Sequence, residues 1–398
     1  MASQLSLTSA SNVLKILYLP GFRMNLNDEL SPTWSAIENN SHKVVGEKVQ
    51  LSIHTGRNPG TGSRAEFGVL PGAGTQTYER PEHDLRHHYG RIRFSGQVLR
   101  RAVTDDGAFV DAAGLEMERI ELDLKHDLNR QMWNTAEQHL VVASGAATGQ
   151  VVPVANATGP QLRSLLDGMK VDIGTSGVQA DIANSVEIES VDITAKTITF
   201  AAGSDVSSVA NGNFIRKEDN FGNEMTGIPQ IVAAGDTLFT VDGSAVRVWN
   251  STVVAQGGAI TESAVEKMID DVSIASNVVA DLVCSSHEIV RDYSALLDAD
   301  RRYNDTTEYN GGFSGIHVQT GSGRVTLVPD RFAPEGEMYF LSSDNIRIAE
   351  ASDWEFMDHD GSVFNRIPDV DGYEATLFKY CDIVTDRRNS HGKITGIA

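Results

Sequence analysis

A few groups of residues have types that could do chemistry. GGFSGI, residues 311–316, approaches the Gly-x-Ser-x-Gly elbow that lifts a serine hydroxyl clear of a sheet. Ile316 stands where that motif requires its last glycine, so the run reads as a turn. Asp358 and Asp360 precede Gly361, and Asp369 and Asp371 precede Gly372, as acidic ligands do in a calcium loop. In that frame the first ligand falls on Phe356 or Ile367, and the twelfth on Ile367 or Phe378. Apolar side chains cannot hold a hard cation, so both segments read as turns. His83, His87 and His88 form the one histidine cluster. On a helix His83 and His87 would share a metal, but the segment leads into a strand, which favours structural or solvent-facing roles. Cys284 and Cys381 lack metal-like spacing and read as reduced core thiols. No glycine-rich run ends in the Lys-Ser/Thr pair of a phosphate loop, and no acid, base and nucleophile share a motif. The expectation is therefore no catalytic residue, no cofactor and no metal.

The elements around these residues are of ordinary composition. The chain has 398 residues, 40% hydrophobic and 22% charged, enough for a large domain or several smaller ones with a buried core. No run of about eighteen apolar residues occurs, so no membrane-spanning helix is expected. The N-terminus has neither a charged leader nor a continuous apolar core of a secretory signal. Carboxylates outnumber Lys and Arg by 54 to 33, a net charge of -21. That excludes gripping nucleic acid by phosphate neutralisation, which needs clustered cations. It implies solubility and repulsion between copies.

Residues 1–27 carry Lys15 and Arg23 and no acid, and read as an arm with a short helical piece broken at Pro20. Val45, Val49, Leu51 and Ile53 then alternate with polar residues, the pattern of a half-buried strand. Ile92, Phe94 and Val98 suggest the returning strand. Between them residues 56–74 hold six Gly and two Pro, too many for a helix or a central strand. So long a connection should project and become ordered on a partner. Phe109, Ala113, Met117, Ile120, Leu124, Leu128 and Met132 recur at helical spacing, predicting a strut roughly 40 Å long. Glu121 with Lys125, and Glu116 with Arg119, are expected on its wet face. Residues 141–218 read as a small β-rich unit with a hairpin turning at Thr194–Lys196. Helices are expected after the N-cap Thr261 and from His287, and strands at GRVTLVPD, GEMYFLSS and ATLFKYCDIVT.

The runs HTGRNPGTGSRAEFGVLPGAGTQ, HHYGRIRFSGQV and DDGAFVDAAGLEMERIELDLKHDLNRQMW closely resemble major capsid proteins of tailed bacteriophages, above all those of actinobacterial phages. ALLDADRRY, GGFSGIHV and LVPDRFAPEGEMYFLSSDNIRI resemble the C-terminal half of the same family. The resemblance covers most of the chain and is weakest at 141–218.

It implies an α+β fold: an N-terminal arm (1–45), an extended β-hairpin loop (46–95), and a peripheral domain with its spine helix (96–140). The β-rich subdomain (141–218), an axial domain (219–345) and a C-terminal return to the peripheral domain (346–398) would follow. It implies a structural protein, not an enzyme, that self-assembles into pentamers and hexamers of an icosahedral shell. The shell would enclose double-stranded DNA without sequence-specific binding, with scaffolding, portal and decoration proteins as further partners and no membrane. The place implied is the virion, after assembly in the host cytoplasm. Some relatives weld their shells from an extended-loop lysine. No Lys lies between Lys48 and Lys125 here, so an unwelded shell is expected. The arm begins almost at Met1, so it should be retained and any scaffold should be a separate protein. An encapsulin-like compartment is the alternative, distinguished by enzyme cargo in place of DNA.

Overall fold

The structure, a computed structural model, describes residues 31–38, 42–44, 48–97, 108–299, 306–308, 314–320, 323–358 and 363–398. Residues 1–30 of the expected N-terminal arm, with Lys15 and Arg23, lie outside them, as do His359–Gly361 of the first acidic pair.

The strut is a helix over Ala108–Met132, about 37 Å long at 1.5 Å per residue. Met117, Leu128 and Met132 of the expected apolar stripe are buried. Glu121 and Lys125 are not on a wet face: they are 4% and 2% exposed and meet at 2.9 Å. Periodicity marks one apolar stripe and is blind to a second covered flank. An i,i+4 pair of opposite charges neutralises itself on that flank. Glu116 and Arg119 are exposed as expected, 3.9 Å apart.

The helix lies on a five-stranded sheet centred on the long strand Gly372–Thr385. Ile346–Phe356 pairs with it antiparallel, and Arg86–Ser95 runs antiparallel to it from Ser95↔Gly372 to Arg86↔Cys381. Arg86–Ser95 is the strand expected to return against Val49. The hairpin instead closes earlier, with Lys48–Gln50 on Glu82–Asp84 and Ile53–Gly56 on Thr77–Glu79. Alternation fixes which face of a strand is buried and leaves its partner open.

Residues 141–217 form a six-stranded sheet with its own core, in which Val152, Val171, Ile173, Ile188, Ile198, Phe200 and Ile215 are fully buried. Its hairpin, Ala183–Asp192 on Thr197–Phe200, turns where expected. The Asp192 carboxylate accepts the Thr194 and Ala195 N–H groups at 2.8 Å, and Lys196 takes a left-handed φ of 51°.

A seven-stranded mixed sheet forms the third layer, in the order 252–258, 392–397, 338–341, 282–285, 323–329, 314–320 and 306–308. Helices Glu262–Ser276 and His287–Ala299 belong to this unit and contribute to its core. Thr261 caps the first of them, its hydroxyl accepting from the Ala264 N–H at 3.2 Å. Ser314 of GGFSGI opens the strand Ser314–Thr320 and does not sit in a turn. The Gly-rich part, 311–313, lies outside the described residues. The second acidic pair is a turn: Asp369 has φ 62°, and the Gly372 N–H donates to Val370 O at 3.0 Å.

Candidate assembly surfaces

The hairpin over Lys48–Asp84 carries the two most exposed large apolar side chains of the described residues, Phe67 and Val69, with Leu70 beside them. Phe67, Val69 and Leu70 at its tip are 99%, 87% and 80% exposed. Water-facing apolar groups this close together mark an interaction surface. The tip holds its own shape. The Arg64 Nε–H donates to Val69 O at 2.7 Å, and the Gly68 N–H donates to Ala65 O at 2.9 Å. Lower down, Gly60 and Gly74 let the two sides close: a β-carbon at Gly60 would lie 2.7 Å from Gly72 O.

Polar groups clamp the base of the hairpin to the body. His83 Nε2 lies 2.7 Å from Asp382 Oδ2, and the ring packs at a tilt against Phe239, 4.3 Å between centroids. Asp382 is fully buried, and its Oδ1 accepts the Thr226 and Ile383 N–H groups at 2.7 Å each. The Arg86 Nη1–H donates to Gly222 O at 2.6 Å. The histidine cluster is thus divided among three surroundings. His83 meets Asp382, His87 packs edge-on against Tyr380 at 4.6 Å on the outer sheet face, and His88 points inward. Burial lowers the pKa of His88. Sequence reasoning missed Asp382, because a single carboxylate in an apolar strand has no local signature.

A second polar knot fixes the C-terminal end of the long helix. Arg130 reaches Glu224 at 2.5 Å and Asp127 at 3.0 Å, and Lys217 reaches Asp127 at 3.2 Å. Burial alone would raise the Asp127 pKa, but Arg130 and Lys217 outweigh it and hold the carboxyl below its usual range. A carboxylate so engaged has little left to offer a neighbour. Glu121 is likewise taken by Lys125, so two acids of the long helix are spent inside the subunit.

The chemistry on offer is that of packing. Burial raises the Cys284 thiol well above its ordinary pKa, and Cys381 is also buried and in no disulfide. Both are poor nucleophiles. Among the described residues no group of three or more His, Cys, Asp or Glu has a metal-binding arrangement. No helix among them is long and apolar enough to cross a membrane.

Residues 207–362 match the SU10 major capsid protein family. Among solved structures, the capsid asymmetric unit of cyanophage A-1(L) is similar at 12% identity, with a TM-score of 0.55 over 92% of this chain and 93% of that one. The SrpI encapsulin of Synechococcus elongatus aligns at 9% identity and TM-score 0.47, over 93% and 89%. Mycobacterium phage Adephagia aligns at 11% and 0.45, over 92% and 90%. No protein of curated function matches the sequence. The fold is that of a tailed-phage capsid subunit.

In that fold the exposed tip takes on meaning. Its apolar side chains stand at the end of a two-stranded lever whose base is fixed by buried polar contacts.

Proposed function

We propose that the chain is the major capsid protein of a tailed phage, a shell subunit whose hairpin docks on the neighbouring copy. The observation that carries this reading is the tip itself: Phe67, Val69 and Leu70 exposed on a lever anchored at His83, in a chain with a capsid fold. Its role is structural, with no enzymatic step. The copies form pentamers and hexamers that close into an icosahedral shell around double-stranded DNA, and the protein resides in the virion. A subunit of charge -21 lines such a shell without gripping the DNA inside. The strings over His54–Trp133 point to a phage of actinobacteria, with assembly in the host cytoplasm on scaffolding and portal proteins and decoration proteins added outside.

Electron microscopy of the expressed protein, alone and with scaffold, tests the reading. Closed shells support it, and shells that fill with DNA in infected cells complete it. Shells that instead capture an enzyme make it an encapsulin-like compartment. A protein that stays monomeric under every salt and scaffold condition overturns it.

A further inference from the structure

The hairpin base rests on a turn that should not favour its own conformation. Thr237–Leu238 pairs antiparallel with Val241–Asp242, leaving Phe239 and Thr240 as a two-residue loop. Both take left-handed backbone angles, φ 50° and φ 69°. Such loops favour Asn and Gly, and a β-branched residue there is strained. The turn is braced from behind. Trp249 donates its indole N–H to Leu238 O at 3.2 Å, and Arg388 pairs with Asp236 at 2.5 Å. From the front, the hairpin base meets it. The Glu82 N–H donates to Phe239 O at 3.0 Å and approaches the Thr240 hydroxyl at 3.4 Å, while the His83 ring covers Phe239.

We propose that the Phe239–Thr240 turn is a strained latch for the hairpin arm. Contact with Glu82 and His83 holds the turn in its left-handed form, and the turn relaxes when the arm lifts. Strain of this kind persists only where the surroundings over-determine it. At its base the arm meets the body through the latch and through Val49 and Ile53, which pack on the main core, and toward the tip it is largely exposed, so the outer arm is the part free to move. The latch thereby lowers the cost of arm movement in an unassembled subunit without weakening the arm itself. This inference concerns the single subunit and does not depend on shell formation.

Thr240→Gly tests it, because glycine accepts the left-handed angle at no steric cost. Hydrogen exchange at the Glu82 amide, measured on unassembled subunits, reads how often the arm lifts. If lifting relaxes the turn, Thr240→Gly stabilises only the latched state, and exchange slows about fivefold or more. Thr240→Ala keeps a β-carbon and loses the hydroxyl, so it should not slow exchange. Unchanged Glu82 exchange in Thr240→Gly, with or without a rise in Tm, overturns the latch. Equal slowing in the alanine and glycine variants overturns it as well, since the hydroxyl and not the backbone would then matter.

Discussion

Leu124 of the long helix fills the space that Gly90 leaves open on the sheet beneath it. A β-carbon at Gly90 would lie 2.7 Å from Leu124 Cδ1 and 3.0 Å from Ile120 Cδ1. The atoms in the way are the ends of flexible side chains, so Gly90→Ala should cost little. Gly90→Leu should lift the helix from the sheet and destabilise the subunit by about 1–3 kcal/mol, the usual effect of overpacking. Urea unfolding of the two variants checks this. Equal stability of leucine and alanine variants would refute the seat.

Gly227 makes the harder contrast. Its β-carbon would fall onto the Asn134 carbonyl oxygen, with Asn134 C and N each 2.8 Å away. Backbone at the end of the long helix cannot rotate aside as Leu124 can. Gly227→Ala should therefore destabilise by more than ~3 kcal/mol and leave little soluble subunit. A soluble variant with wild-type Tm would contradict this.

His391 predicts acid sensitivity. It is fully buried; the Ser342 N–H donates to Nδ1 at 3.2 Å, which places its proton on Nε2, 3.0 Å from the Thr385 hydroxyl. Burial foremost, with the Arg388 guanidinium nearby, lowers its pKa from 6.5 to about 3. His139 is lowered to about 4, by burial and then Arg216. Below pH 6.5 the unfolded chain binds protons that the fold refuses, so stability is full above pH 6.5 and falls as pH drops toward these values. From pH 6.5 to 5, each histidine should cost about 2 kcal/mol. His391→Gln should flatten that slope by one proton. An unchanged slope would place His391 in water.

Charge predicts how shells respond to salt. Copies that each carry -21 repel one another until the Debye length falls to ~8 Å near physiological ionic strength. Light scattering should show shells forming faster in moderate salt than at low ionic strength. The reverse order would mean that specific ion pairs, and not net charge, control the encounter.

Local patterns in the sequence survive to the structure, and choices of partner do not. Met117, Leu128 and Met132 announce the long helix, and Thr194–Lys196 announces its turn, because each follows from neighbours a few residues away. The partner of Arg86–Ser95 is nearly 300 residues distant, and nothing in its own alternation names Gly372–Thr385. Burial of Glu121 and Lys125 was hidden for the same reason. The projecting tip was legible because six glycines and two prolines in residues 56–74 leave the backbone no regular element to join. Its anchor at Asp382 and its seat on Phe239 were not, since both are tertiary contacts.

The tip itself carries the last prediction. Arg57, Arg64 and Arg80 give residues 55–80 three cations against Glu66 and Glu79, on a chain whose long helix is rich in acids. Charge pairing with those acids is weakened by the finding that Glu121 and Asp127 are already engaged. Arg64 also has work within the tip, where Nε–H holds Val69 O and Nη1–H holds Ser63 O at 3.0 Å. The apolar side chains are thus the better candidates for the contact energy, and Arg64 for their presentation. Exposed pairs contribute only ~0.2–1 kcal/mol each, whereas burying a side chain such as Phe or Leu contributes roughly 1.5–3 kcal/mol. Phe67→Ser with Leu70→Ser should leave subunit Tm unchanged, because neither side chain touches the body, and should sharply reduce shell yield. Arg57→Ala should matter least, and Arg64→Ala should fall between. Sedimentation of assembled material, with Tm measured on the unassembled subunit, ranks the three variants against wild type. If Arg57→Ala lowers shell yield more than the double serine variant, charge docking is the mechanism and the apolar tip is incidental.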